Sequence, residues 1–288
     1  MSSRPANILP GFGLSFGYAS LYMSLLVLIP LAGLGLKTSN LSWDQFRNTI
    51  TNPHVMAAYK LSFSAALAAA LLNGVFGTVI AWTLVRYRFP GRKFFDAIID
   101  LPFAMPTAVA GLTFGDLYGY VPLLARTADA QPWTFEIYGL YGLDVRDWCR
   151  VTVMLTFVGL PYVIRSIQPI LQDWDMETEQ AAMSLGAGPA TIMRRLIAPE
   201  IWPAWISGVA LAFARGVGEY GSIIFIASNI PGLSQIAPQL ILDRIYDPID
   251  PEKKIAAATA IAVVMLIVSL IVLLLLNGLD YLSRRHRA

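Results

Sequence analysis

Two opposite charges, Arg215 and Glu219, stand four residues apart within an apolar run from 204 to 228, a spacing that puts both on one helix face. Each costs about 2.5–3.5 kcal/mol at mid-bilayer on insertion scales, so a partner or a watery cavity must compensate it. A structural ion pair would do this, and so would a pair that closes a passage and exchanges partners when the passage opens. Gly216, Gly218 and Gly221 beside them spell Gly-x-Gly-x-x-Gly, with Asp243 further on. That pattern binds dinucleotides only after a β-strand, and these glycines lie in an apolar run, so close helix contact or local unwinding is the expectation. Thr107, Thr113, Ser222 and Asn229 stand around the break that Pro106 should impose and the Arg215 turn, where side-chain donors and exposed backbone N–H groups would gather. Redox and metal chemistry find no support, because Cys149 is the single cysteine and the two histidines, His54 and His286, lie far apart in sequence.

The elements that must hold these residues follow from composition. Of 288 residues, 56% are hydrophobic and 14% charged, with mean hydropathy +0.58, whereas soluble domains carry roughly 25% charged residues. Disorder is excluded, and so little ionic surface implies faces that meet lipid. At about 20 residues per crossing, the length admits six or seven spans and no sizeable soluble domain. The runs are 14–36, 57–85, 98–120, 149–171, 204–228 and 255–279, an all-α polytopic domain of about six transmembrane helices covering 1–288. The first run is too long for a secretory signal and reads as a retained span. Asn73, Gly74 and Gly77 suit close helix packing, and Pro102 and Pro106 should kink or interrupt the third run. Arg86, Arg88, Arg92 and Lys93, with Arg284, Arg285 and Arg287 in the tail, mark the cytoplasmic face and put both termini there. Trp43, Trp133 and Trp148 belong to the opposite interface. A net charge of +2 argues against nucleic acid as a partner.

One connection, 173–203, is too polar to cross and too organised to be a tether. Asp175 can cap a helix with Glu177 and Glu179 in its first turn; Ala181, Ala182, Met183 and Leu185 continue it, and Gly186 stops it. Gly188-Pro189 opens a second helix, with Ile192, Met193, Leu196 and Ile197 on an apolar face beside Arg194 and Arg195, ending at Pro199. Composition alone leaves open a protein docking surface or a helix lying on lipid headgroups.

Spacing decides further. Gln180-Ala181-Ala182, three residues, Gly186 and a thirteen-residue step to Pro199 resemble the Glu-Ala-Ala loop of ABC importer permeases, which couples to a cytosolic ATPase. Gln180 replaces the motif's glutamate, with Glu179 just before it, and Ala198 replaces its leucine. Phe89-Pro-Gly-Arg92, the run from Asp100 through Leu-Pro-Phe-Ala-Met-Pro-Thr-Ala-Val-Ala-Gly to Leu112, and Arg215-Gly-Val-Gly-Glu-Tyr-Gly221 resemble the sulfate and thiosulfate permeases of the CysT type.

The resemblance implies the type I ABC importer permease fold in a bacterial inner membrane and a subunit with no catalysis of its own. It implies an ATPase dimer, a second permease that is identical or CysW-like, an extracytoplasmic sulfate-binding protein and surrounding lipid. The chain lacks Gly-x-x-x-x-Gly-Lys-Ser/Thr and cannot cradle nucleotide phosphates itself; the resemblance implies no cofactor on this chain, with ATP and Mg on the partner ATPase. Coupling falls to Glu179, Gln180, Ala181, Ala182, Gly186, Arg194, Arg195 and Pro199. The pathway falls to Arg215, Glu219, Pro106, Thr107 and Ser222. Molybdate or tungstate is the alternative cargo, and an ATP-independent carrier the alternative class. No Ser/His, paired-Asp or metal set for an intramembrane protease stands in the spans.

Overall fold

The computed structural model describes residues 11–118, 145–248 and 251–285. Along the chain, α1 (Phe12–Thr38) and α2 (Trp43–Ile50) lead into α3 (Pro53–Arg86). Three short helices follow: α4 (Arg92–Ile99), α5 (Leu101–Ala104) and α6 (Thr107–Tyr118). Then come α7 (Val145–Gln172), α8 (Met176–Ser184) and α9 (Pro189–Ile192), a π-helical turn over Met193–Ile197, and α10 (Ala198–Val217). The chain continues through α11 (Ile223–Ile226) and α12 (Ala237–Ile245) to α13 (Pro251–Arg285). No strand occurs among the described residues.

The core is the junction of α3, α7 and α10. Lipid is as apolar as leucine, so these helices associate through contact at short range, and small residues allow it. The indole of Trp205 donates to the Gly74 carbonyl at 2.9 Å, and a Cβ on Gly74 would lie 2.8 Å from that ring. Leu61, Met154, Ile164 and Ile167 fill the space between. Asn73 is fully buried there, its amide against Gly159, with no hydrogen-bond partner among the described residues.

Two ends of the bundle are fixed by polar contacts. At one, Trp148 donates to Ser64 at 3.0 Å, Ser62 accepts from the Ala237 N–H at 2.9 Å, and the Tyr59 hydroxyl donates to the Ile261 carbonyl at 3.1 Å. The starts of α3, α7, α12 and α13 therefore gather together. At the other end Arg86, the last residue of α3, meets α8. By contrast α1 has no buried residue and leans on α13.

Several expectations change. Among the described residues five helices, not six, are long and apolar enough to cross a membrane. The third run is the exception: it divides at Asp100 and again at Met105-Pro106, because Pro106 has no N–H to continue α5 and biases Met105 to extended backbone, ψ 129°. The fifth run shifts as well. Its helix ends at Val217 rather than continuing to 228, with Gly218 as its cap and only the short α11 beyond. The second helix of the 173–203 loop does not end at Pro199. The π turn carries it directly into α10, moving the Arg195 carbonyl out of the register that the Pro199 ring would strike. The connections expected as loops at the opposite end contain α2, capped by a Ser42–Gln45 box, and α12. Residues 119–144 with Trp133, together with His286 and Arg287, lie outside the described residues.

Candidate functional site

The two helix breaks face each other. Arg215 sits in the last turn of α10 and Glu219 just past its end, so the pair lies at a helix break and not mid-helix as expected. Arg215 Nη1 and Glu219 Oε2 are 2.6 Å apart, with the arginine side chain 34% exposed and the glutamate 2%. The other carboxylate oxygen accepts from the backbone N–H and the hydroxyl of Ser222, at 3.1 and 2.9 Å. The turn after α10 is thus tied by side chains where helical hydrogen bonds have stopped. Against it packs the start of α6: a Cβ on Gly221 would lie 2.3 Å from the Thr107 hydroxyl, and one on Gly111 only 2.4 Å from the Ser222 carbonyl. Arg215, Glu219, Ser222 and Thr107 are therefore brought together, with Pro106 one residue away. Thr113 is exposed on α6, and Asn229, at φ 53°, turns its amide to the Ile224 carbonyl at 3.1 Å. Depth follows from Gly216, which packs against Ala66: at about 1.5 Å per residue, that level is roughly 20 Å down α3 from its start. The charges lie beside the apolar length of α3 and not at its end.

What the cluster can do is limited and specific. Ser222 and the Arg215 side hold Glu219, while part of the guanidinium stays open beside hydroxyls and the backbone of two broken helices. Such a constellation can receive an anion weakly and can come apart when the breaks separate.

The loop 173–197 is built as the spacing predicts in its first half. The Asp175 side chain accepts from the Glu177 N–H at 2.8 Å, α8 ends at Ser184, and Gly186 takes φ +85°, a left-handed turn that glycine adopts without strain. Gln180, Ala181, Met183 and Leu185 are exposed. In the second half the apolar face is largely used by the chain itself, since Ile192 and Ile197 are buried in the core and Leu196 packs against it, leaving Met193 exposed with Arg194 and Arg195. That face is therefore not a free docking surface, because the π turn rotates it inward onto the bundle. Glu179 also departs from expectation: it turns inward to pair with Arg86 of α3, both side chains nearly buried.

Two further charge clusters escaped the sequence reading. Arg165 of α7 clasps Asp100 through two bonds of 2.9 and 2.7 Å and reaches Asp96 at 2.8 Å and Gln168 at 2.6 Å. Burial pushes the Asp96 carboxyl up, but hydrogen bonds from Arg165 and Gln168 and the charges of Arg165 and Arg92 outweigh it, so the group lies below the ordinary carboxylate range. The clasp holds α4 and α5 against α7. At the opposite end of α7 the buried Asp147 pairs with Arg150 at 2.7 Å and accepts from the Ser228 N–H at 3.0 Å. The signal for the first was Arg165 itself, a cation inside an apolar run that demands a partner.

Comparison with known proteins gives a consistent picture. Residues 73–287 match the family described as binding-protein-dependent transport system inner membrane component. The chain is 42% identical to the sulfate transport system permease protein CysT of Salmonella typhimurium, over 97% of this chain and 95% of that one. It is 40% identical, with the same coverage, to the protein of that name in Escherichia coli. Its relative in Nephroselmis olivacea, a probable sulfate transport system permease protein, is 43% identical over 92% of this chain and 88% of that one. Among solved structures, a bacterial ABC transporter involved in the import of the acidic polysaccharide alginate superposes with a TM-score of 0.65 over 96% of both chains at 13% identity, a likeness of fold.

Proposed function

Because the chain belongs to the binding-protein-dependent transport system inner membrane components, and among them to the CysT-type sulfate permeases, we propose that it carries sulfate or thiosulfate into the cell by alternating access, driven by a separate ATPase. The end of the bundle bearing Arg86 and the 173–197 loop faces the cytoplasm, and both termini lie on that side. The ATPase dimer seats on the exposed surface of α8, around Gln180, Ala181 and Leu185. A second permease, identical or CysW-like, completes the pathway, and an extracytoplasmic binding protein delivers the anion at the opposite end. ATP and Mg act on the ATPase; this subunit moves and does not catalyse.

The observation that carries this reading is the continuity of the loop with α10. No turn separates α9 from α10, so a displacement that α8 passes through the Gly186 turn to α9 moves α9 and α10 as one rod. The far end of that rod holds Arg215 and Glu219 at the break facing Thr107. Closure of the ATPases tilts α10, the 215–222 turn parts from the start of α6, and Arg215 exchanges Glu219 for the passing anion. A dianion held by one cation and a few neutral donors binds loosely enough to leave.

Reconstitution into liposomes tests this. With the ATPase, the second permease and the binding protein present, the chain should support uptake of labelled sulfate that requires internal ATP, and excess thiosulfate should compete. Uptake that proceeds without ATP, or a chain that captures no ATPase, refutes the proposal.

A further inference from the structure

The glutamate next to the docking surface points away from it. Glu179 and Met176 are three residues apart and so share one face of α8, and both meet the Arg86 guanidinium, the carboxylate at Nη2 and the sulfur at Nη1. Ala182, three residues on, packs against the core from the same face. The guanidinium lies 4.7 Å above the Trp82 ring, an arrangement that favours the cation and fixes its plane. Side-chain exposure is 12% for Arg86 and 14% for Glu179, while Gln180 is exposed. The loop is thereby fastened to α3, a helix that neither precedes nor follows it in sequence.

We infer that Glu179 is a positioning residue of transport, acting through Arg86: the pair makes α3 move with the coupling loop, and the neutral Gln180 takes the place against the ATPase. The inference rests on the reading above that this loop receives the ATPase. It follows from geometry. Helices α7 and α10 are joined to the loop by the backbone, but α3 is joined only by side chains, and at this end the Arg86 cluster is the polar connection between α8 and α3. Breaking it frees α3 from the stroke while leaving the outward surface of α8 intact.

The test uses the whole complex in liposomes and two measurements, ATPase capture and anion transported per ATP hydrolysed. Glu179→Gln and Arg86→Gln should each capture the ATPase as the unmodified chain does, while transport per ATP falls about tenfold, within the range of ordinary coupling energies. Charge exchange, Arg86→Glu with Glu179→Arg, should recover only part of that loss, because it restores the pair but sets a carboxylate over the Trp82 ring. Weaker capture in Glu179→Gln overturns the inference, because the carboxylate would then belong to the ATPase contact. So does unchanged transport per ATP in both single variants. An unmodified chain that captures no ATPase overturns the parent reading along with this one, whereas normal capture with unaltered coupling in the variants overturns this one alone.

Discussion

The two ends of α10 are made of different material. Toward the loop, the helix passes through a π turn without losing continuity, and Ile192 and Ile197 bury it in the core. Toward the opposite face, it ends at Gly218 in a turn tied by the Arg215–Glu219–Ser222 contacts and packed against the start of α6. One end resists deformation because packed apolar contacts and helical hydrogen bonds must fail together. The other relies on polar contacts and, in the function proposed above, comes apart by exchanging them. A lever needs this asymmetry: a stiff arm where force enters and a weak joint where it acts.

The largest effect should come from jamming the joint. In Gly111→Val a Cβ and two methyls would enter the 2.4 Å gap to the Ser222 backbone carbonyl, which cannot give way as a side-chain tip can. Uptake should vanish and the melting temperature in detergent should drop, with a loss of about 1–3 kcal/mol or more from overpacking. Gly218→Ala is the matched control: nothing lies near its Cβ, and uptake should hardly change. Equal damage from both would show that the region tolerates no added carbon anywhere and is no specific joint. Next in size is Arg215→Gln, which strands the buried Glu219 with only Ser222. Removing one partner of a fully buried pair costs about 3–5 kcal/mol; with Arg215 a third exposed and the Ser222 bonds retained, the loss here should fall below that range. Uptake should fall sharply while ATPase capture persists. Full uptake with unchanged coupling would sink the gating role of the pair.

How much of this was legible in the sequence differs between the ends in the same way. The joint was announced by residue types: Pro106 cannot continue a helix, the glycines weaken one, and two charges in an apolar run demand each other. The stiff arm was not. Proline at 199 reads as a stop, and only the core around Ile192 and Ile197 shows why a π turn carries the helix past it. Orientation was equally hidden, because the spacing of α8 gives its faces without saying which is covered. Glu179 is turned inward by Arg86, 93 residues earlier in the chain, and Arg165 finds Asp100 at a separation of 65. Local patterns carry no information about partners so distant.

Pro199 gives the gentlest and most discriminating change. In Pro199→Ala the backbone regains an N–H, and the ring that would clash with the Arg195 carbonyl is gone. The segment from Met193 to Ile197 is then able to adopt α-helical register, which would turn everything before it by about 100° relative to α10. Opposing that rotation are the buried Ile192 and Ile197 and the Arg86–Glu179 contact. Stability should therefore change by less than about 1 kcal/mol, with ATPase capture intact and transport per ATP reduced severalfold as the arm alternates between two settings. This separates the ends of α10 by signature. A change at the joint removes uptake outright, whereas a change in the arm leaves uptake running at poorer yield. Unaltered yield in Pro199→Ala would mean that the π turn only accommodates a proline, and the stiffness of the arm would then rest on the apolar packing of Ile192 and Ile197.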